Sequence, residues 1–210
     1  MRLFLAAATL LACAPPETGA VDNNGGSIGT PGTDEDSAAP VDGSSDACED
    51  GAADPLFGPF APFSNGITVA EGSGDHDVFV YGGYTAKLPS VEAWAKALLP
   101  AAALRPRHIY AIQGPQDVNY AAKEIANSSI VARYLRDPAP TAVTVIAHSS
   151  GSYVAHEFLS QLDSAGLLDG GGALAGKVNF RNLDGGTGLP ETTAKKLHTI
   201  LCVYAEDATL

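Results

Sequence analysis

The segment 142–158 constrains the fold more than any other stretch, because a run of β-formers gives way to a helical pattern within a few residues. The run 142–148, AVTVIAH, is short and almost wholly apolar, which is typical of a strand buried on both faces of a sheet. A helix-like pattern begins at residue 152, and Ser149 stands between the two. Such a sharp turn would strain the backbone at Ser149 and lift its hydroxyl clear of the sheet.

Strand-like and helix-like segments alternate from residue 76 onward. The predicted strands are 76–84, 108–114, 142–148, 177–183 and 198–205, and the predicted helices are 90–101, 119–136 and 152–166. Alternation of this kind predicts an α/β fold, with a parallel, doubly wound sheet covered by helices on both faces. The apolar segment 56–70 is broken by Gly and Pro, and we expect it to wrap onto this domain as a loop or an edge segment.

Charge and composition exclude several classes of function. Of the 24 acidic residues, ten lie between residues 14 and 60, and the 12 Lys and Arg residues are scattered. A nucleic-acid-binding protein concentrates its basic residues in a patch, so no nucleic acid is expected as a partner. Neither paired metal-ligand spacing nor a dinucleotide-binding glycine pattern is present, so no metal and no cofactor is predicted.

The N-terminus predicts export. Residues 1–12 carry one basic residue and an apolar run that fits a secretory signal peptide. Leu10 to Cys13 resembles a bacterial lipobox, which implies acylation of Cys13 and attachment to the cell envelope, in the outer membrane if the host has one. The alternative is an ordinary signal peptide and a secreted product. Residues 13–55 are rich in Gly, Ser, Pro and acids, which predicts a disordered spacer before a domain at 56–210.

Two further cysteines leave two interpretations open. In an exported chain Cys48 and Cys202 could form a disulfide that fixes the end of the spacer to the domain. Alternatively, Cys202 is a buried free thiol inside the apolar run TILCVYA.

The segment AHSSG, residues 147–151, resembles the nucleophile elbow of the α/β-hydrolases, with Ala147 in place of the usual first glycine. The segment VFVYGGY, residues 78–84, is similar to the oxyanion loop of that family, although the customary histidine is absent. The resemblance covers roughly residues 76–210 and implies a lipase- or esterase-like serine hydrolase. It implies Ser149 as nucleophile and the backbone N–H groups of Gly83 and Ser150 as oxyanion donors.

The resemblance also implies an acid after a later strand and a histidine after the last one. Asp207, with Glu206 as a substitute, is the candidate acid, but no histidine follows it. A second set, Ser149 with Asp184 and His198, obeys the family order. His198 begins its strand, however, and in a parallel sheet this places it at the edge opposite Ser149.

The missing base leaves two functional hypotheses. In the first, the chain is a serine hydrolase of acyl esters whose last strand and catalytic-histidine region are absent from these 210 residues. In the second, it is a surface lipoprotein that binds a small molecule or a partner on a hydrolase scaffold without turnover. An unpaired last strand at 198–205 would leave an exposed sheet edge.

Overall fold

The computed structural model describes residues 56–101, 104–118, 123–186 and 188–204. Cys13, Cys48, Glu206 and Asp207 lie outside these ranges, as do the predicted signal peptide and spacer.

Within these ranges the chain forms seven strands and four helices. The strands are β1 (Ala61–Ser64), β2 (Ile67–Glu71), β3 (His76–Tyr81), β4 (Pro106–Ile112), β5 (Ala142–His148), β6 (Val178–Leu183) and β7 (Thr199–Val203). The helices are α1 (Leu88–Ala101), α2 (Lys123–Arg136), α3 (Gly151–Ser164) and α4 (Glu191–Ala194). None of these helices has the length and apolar character that a membrane span requires.

All seven strands join one sheet in the order β1-β2-β4-β3-β5-β6-β7. Strands β4, β3, β5, β6 and β7 are mutually parallel, whereas β2 is antiparallel to both β1 and β4. The α/β prediction is therefore confirmed, but the sheet is mixed and not purely parallel. Strands β1 and β2 are joined by the turn at Asn65-Gly66, where Gly66 has a φ of 71°. A tight Asn-Gly turn joins antiparallel strands, so the segment 56–70 forms an edge hairpin.

Helices cover both faces of the sheet because successive residues of a strand point to opposite sides. Val78 and Val80 of β3 pack in one cluster with residues of α1. Phe79 and Tyr81 pack in a second cluster, on the other face, with residues of α2 and α3. This arrangement confirms the doubly wound pattern, and it leaves the strand ends as the places where polar groups can gather.

Strand β7 differs from the rest of the parallel sheet. All five of its residues are exposed, including Ile200 and Leu201, which are 44% and 48% exposed. Cys202 is exposed as well, so the interpretation of a buried thiol is wrong. A disulfide to Cys48 stays a prediction, since Cys48 lies outside the described residues.

Candidate active site

The carboxyl ends of β3 and β5 meet at the point where the winding of the sheet reverses. From β3 the chain passes through α1 to β4 on one side, and from β5 it passes through α3 to β6 on the other. In open α/β sheets the crevice at such a reversal is where ligands bind. Gly82 and Gly83 follow β3 at this point, and Ser149 follows β5. The topology therefore brings the two segments that the sequence singled out to one place.

Ser149 occupies the turn between β5 and α3. Its φ is 51°, in the left-handed region that residues with a side chain enter only at a cost of about 1 kcal/mol or more. The N–H of Ser149 donates to the carbonyl of Leu183 at 3.0 Å, and its carbonyl accepts from the N–H of Ser152 at 3.1 Å. The backbone thus follows the sharp strand-to-helix turn that the sequence predicts.

Close backbone contacts explain the glycines around this turn. A Cβ on Gly151 would lie 2.3 Å from the carbonyl oxygen of Gly82 and 2.9 Å from that of Tyr81. A Cβ on Gly114, after β4, would lie 1.7 Å from the carbonyl oxygen of Gly83. The first turn of α3 and the ends of β3 and β4 can approach this closely only because these positions lack side chains.

Two backbone donors next to Ser149 have no acceptor in the described ranges. The N–H groups of Gly83 and Ser150 take part in none of the hydrogen bonds formed there. A Cβ on Gly83 would lie 3.4 Å from Ser149 Cβ, so Gly83 borders the serine side chain directly. Ser150 stands at the N-terminus of α3, where the helix dipole adds partial positive charge. Both donors thus belong to residues that adjoin Ser149.

Of the three candidate acids, Asp207, Glu206 and Asp184, only Asp184 lies within the described residues. Asp184 directly follows β6 with a φ of 53°, and its N–H donates to the carbonyl of Val203 at 2.6 Å. It therefore stands at the same edge of the sheet as Ser149, on the neighbouring strand. Asp207 lies outside the described residues, and its role stays a prediction.

His198 lies at the opposite edge. Its N–H donates to the carbonyl of Val178, the first residue of β6, whereas Asp184 follows the last residue of that strand. A six-residue strand separates its two ends by about 17–20 Å. The structure therefore does not bring Ser149, Asp184 and His198 together.

The other four histidines also have defined places. His76 and His108 lie in the first half of β3 and β4. They are therefore at the amino edge of the sheet, the side at which the parallel strands begin, together with His198. His156 is buried in α3, two turns beyond Ser149, where burial lowers the pKa of its ring. His148, the last residue of β5, is the histidine next to the turn.

The exposed ring of His148 faces Gly83 and α1. It meets the ring of Trp94 edge-on, with centroids 5.9 Å apart and planes at 71°. A Cβ on Gly83 would lie 3.0 Å from His148 Nδ1. His148 Nδ1 and Ser149 Cβ therefore both lie close to the buried Gly83.

Behind the turn, four buried polar atoms have no partner among the described residues. They are Ser150 Oγ, Ser152 Oγ, His156 Nδ1 and Asn182 Oδ1. A Cβ on Gly185 would lie 2.0 Å from Asn182 Oδ1 and 2.8 Å from Ser152 Oγ, so these two atoms face the same point. Buried polar atoms are seldom left without a partner. Three of these four belong to α3 or its N-cap, and the fourth belongs to β6, the strand that follows α3.

Sequence reasoning did not single out Asn182. Its Nδ2 donates to the carbonyls of Gly185 and Gly186 at 3.4 and 3.1 Å, which fixes the loop that follows Asp184. The signal in the sequence was a polar residue inside a run that was otherwise expected to be buried. In the structure the residue is buried, since Asn182 is 2% exposed. Such a residue keeps its place only when its amide is used.

Sequence reasoning also did not single out Asp77, which anchors a polar network at the amino edge. Arg107 donates to both of its carboxylate oxygens at 3.0 and 2.9 Å, Tyr134 OH donates at 2.8 Å, and His108 Nδ1 lies at 3.1 Å. Burial alone would raise the pKa of Asp77, but hydrogen bonds from His108, Arg107 and Tyr134 outweigh burial and lower the pKa to about 2. This carboxylate is charged and fully paired.

An apolar groove of about 420 Å³ lies away from Ser149, between the segment 56–59 and the C-terminal half of α1. Phe57 in its wall pairs with Gly72, whose N–H donates to the carbonyl of Arg107 near the start of β4. The groove therefore sits toward the amino edge of the sheet and does not adjoin the serine turn.

Comparisons with known protein families and with curated proteins found no match that would indicate a function. No protein-family model matches this chain, and no curated protein matches it significantly. Among the described residues, no group of three or more His, Cys, Asp and Glu side chains could hold a metal ion.

Proposed function

We propose that this protein is a serine hydrolase of acyl esters, lipase- or esterase-like, with Ser149 as its nucleophile. One observation carries the proposal: Ser149 stands in a strained turn at the sheet reversal, beside two N–H donors that have no acceptor in the described ranges. Acyl transfer needs this combination, because the attacked carbonyl oxygen becomes negatively charged while the serine oxygen bonds to its carbon.

The proposed reaction assigns a role to each group at the turn. Ser149 Oγ attacks the ester carbonyl and forms an acyl-enzyme. The N–H groups of Gly83 and Ser150 donate to the oxyanion, and loss of one such donor lowers turnover by roughly a hundred- to a thousandfold in comparable sites. Asp207 is the proposed acid, and Asp184, which directly follows β6, is the alternative.

A fluorophosphonate probe tests the proposal directly. We expect the purified chain to gain one probe mass, mapped to the peptide that contains Ser149. The variant Ser149→Ala should remain unlabelled, whereas Ser90→Ala, which changes an exposed serine at the start of α1, should label at the wild-type rate. Absence of labelling in the wild-type chain would overturn the proposal.

A second function, binding without turnover, is supported by a different observation. The hydroxyl of Ser149 makes no hydrogen bond to a histidine, or to any other residue, within the part of the chain that the structure describes. A serine without a base is a poor nucleophile, although an oxyanion hole alone retains some catalysis. Equal binding of a small ester by wild type and Ser149→Ala, with neither labelling nor hydrolysis, would favour this function.

We further propose that the protein acts outside the cytoplasm, attached to the cell envelope by a lipid on Cys13. The support is the signal-like run before Cys13 and the polar segment after it. Radiolabelled palmitate should enter the wild-type protein in the cell and be lost in Cys13→Ser. Incorporation that survives this substitution would contradict the anchor.

A further inference from the structure

We propose that two copies of this chain pair through β7, edge to edge and antiparallel, so that their two sheets continue into one. This inference goes beyond the proposed function and does not depend on Ser149, because it concerns the last strand in the order of the sheet. On one side β7 pairs with β6. Within the described residues, no strand lies on its other side.

Exposed hydrophobic side chains concentrate in and beside this strand. Nine large hydrophobic residues are exposed in the described ranges, and four of them lie between residues 200 and 204: Ile200, Leu201, Val203 and Tyr204. Successive residues of a strand point to opposite faces, so β7 is uncovered on both faces. A cluster of exposed hydrophobic residues of this kind is typical of an interaction surface.

The open side of β7 also offers backbone groups for pairing. Asp184 N–H donates to the carbonyl of Val203, so the backbone of Val203 points toward β6. Because successive residues alternate in direction, the N–H and carbonyl groups of Ile200 and Cys202 point to the open side. A strand placed beside β7 can therefore exchange hydrogen bonds with these two residues.

The two edge strands of the sheet differ in their protection against such pairing. Natural proteins block edge strands with prolines, charges, bulges and short length. Strand β1 has four residues, carries Pro62, which lacks an N–H, and shifts its register between Pro62 and Ser64. The five residues of β7, TILCV, include no proline and no charge, and its register with β6 is unbroken.

This contrast selects the partner. Among the described strands only β7 is an unblocked edge, so the strand that matches it in a second copy is again β7. Pairing of β7 with β1 would add copies without end, whereas pairing of β7 with itself uses the same surface twice and closes as a two-fold dimer. The blocked edge at β1 therefore favours a closed dimer.

A two-fold axis at Leu201 fits the directions of the backbone groups. Ile200 of one copy then faces Cys202 of the second copy and exchanges two hydrogen bonds with it, and the symmetric pair adds two more. Leu201 faces Leu201 of the second copy as a non-hydrogen-bonded pair, with Cα atoms about 4.5 Å apart. No like charges meet across the axis, because β7 carries no charged residue.

Sedimentation equilibrium of the purified chain over a range of concentrations tests the inference. We expect a reversible equilibrium between monomer and dimer. Leu201→Lys would place two like charges against each other at the axis, so the dimer dissociation constant should rise by about tenfold or more. Leu135→Lys is the matched control, since it changes an exposed leucine of α2, and it should dimerise as wild type does. Circular dichroism checks that each variant folds.

Disulfide cross-linking tests the register. The background is a chain in which all three cysteines are replaced by serine. Leu201→Cys in this background should give a covalent dimer under mild oxidation, because Cα atoms about 4.5 Å apart allow a disulfide. Thr199→Cys should stay monomeric on a denaturing gel, because the two substituted positions would lie about 14 Å apart along the paired strands.

Several results would overturn the inference. A monomer at every concentration is one, and a dimer that Leu201→Lys does not weaken is another, since a different surface would then form it. Equal cross-linking at the two positions, or growth into species larger than a dimer, would also contradict a closed pair centred on Leu201. None of these results bears on the proposed function, which is tested separately by labelling of Ser149.

Discussion

The two ends of the parallel strands differ in how their polar groups are paired. At the amino edge, both carboxylate oxygens of Asp77 receive hydrogen bonds, and Arg133 Nη2 lies 2.8 Å from His108 Nε2. At the carboxyl edge, the N–H groups of Gly83 and Ser150 have no acceptor in the described ranges. The network around Asp77 is thus satisfied, whereas these two backbone donors are left available.

This difference separates the residues that stabilise the fold from the residues that can interact with a ligand. A buried ionic network whose members are all paired rigidifies the fold and offers nothing to a ligand. A strained serine beside unused donors costs stability, and such sites recur where a ligand or a transition state supplies the missing partner. We therefore expect substitutions at the amino edge to alter the free energy of unfolding, and substitutions at the carboxyl edge to alter reaction with Ser149.

The largest expected effect is on stability, at Asp77. Asp77→Ala removes a buried carboxylate and leaves Arg107 without its partner, so the free energy of unfolding should fall by about 3–5 kcal/mol. Urea unfolding monitored by circular dichroism measures this loss in the free energy of unfolding. Asp75→Ala changes an exposed acid two residues away and should shift the value by less than about 0.5 kcal/mol. Equal effects of the two substitutions would contradict the structural role of the network.

Low pH should reduce the contribution of Asp77 to the stability of the fold. The pKa of Asp77 is lowered to about 2 in the folded chain, so its contribution is complete above the carboxyl pKa of the unfolded chain and is lost as the pH falls toward 2. We expect the stability difference between wild type and Asp77→Asn to shrink by about 2 kcal/mol from pH 6 to pH 2. A difference that stays constant over this range would show that the carboxylate is not preferentially charged in the fold.

A smaller effect is expected at the carboxyl edge from Gly151→Ala. The new methyl would lie 2.3 Å from the carbonyl oxygen of Gly82, so α3 and the end of β3 must separate. Because Ser149 and Gly83 would move apart, fluorophosphonate labelling should slow by about tenfold. Gly171→Ala is the matched control, since a Cβ there meets no atom within 4 Å. Equal labelling rates for both variants would show that the close contact at Gly151 does not position Ser149 for the reaction.

The smallest effect is expected at His198. Its N–H lies at the amino edge, beside Val178, and its side chain is exposed. His198→Ala should change neither the labelling rate of Ser149 nor the free energy of unfolding by a measurable amount. A large loss of labelling would restore the triad of Ser149, Asp184 and His198 and contradict the strand register.

The parts of the fold that the sequence predicted are those encoded locally. The run 142–148 predicted β5 at its observed bounds, because a short apolar segment that stops at small residues has few alternatives. The turn at Ser149 followed from the same window. The hairpin of β1 and β2 was also signalled locally, by Asn65-Gly66, in a segment for which the prolines and glycines predicted a loop or an edge segment.

The parts that the sequence could not predict depend on contacts between distant segments. Asp77 is bonded to Arg107 and Tyr134, which are 30 and 57 residues away along the chain. The contact between Trp94 and His148 requires the order of β3 and β5 in the sheet, which local patterns do not encode. Exposure of β7 likewise depends on what packs beside it, since its apolar residues are typical of a buried strand.

The most direct test of the account is a crystal structure of the chain after reaction with a fluorophosphonate. The account predicts a covalent bond from phosphorus to Ser149 Oγ. It also predicts that the phosphoryl oxygen lies about 2.7–3.1 Å from the nitrogens of both Gly83 and Ser150. A phosphoryl oxygen that points to solvent, or an adduct on any other residue, would contradict it.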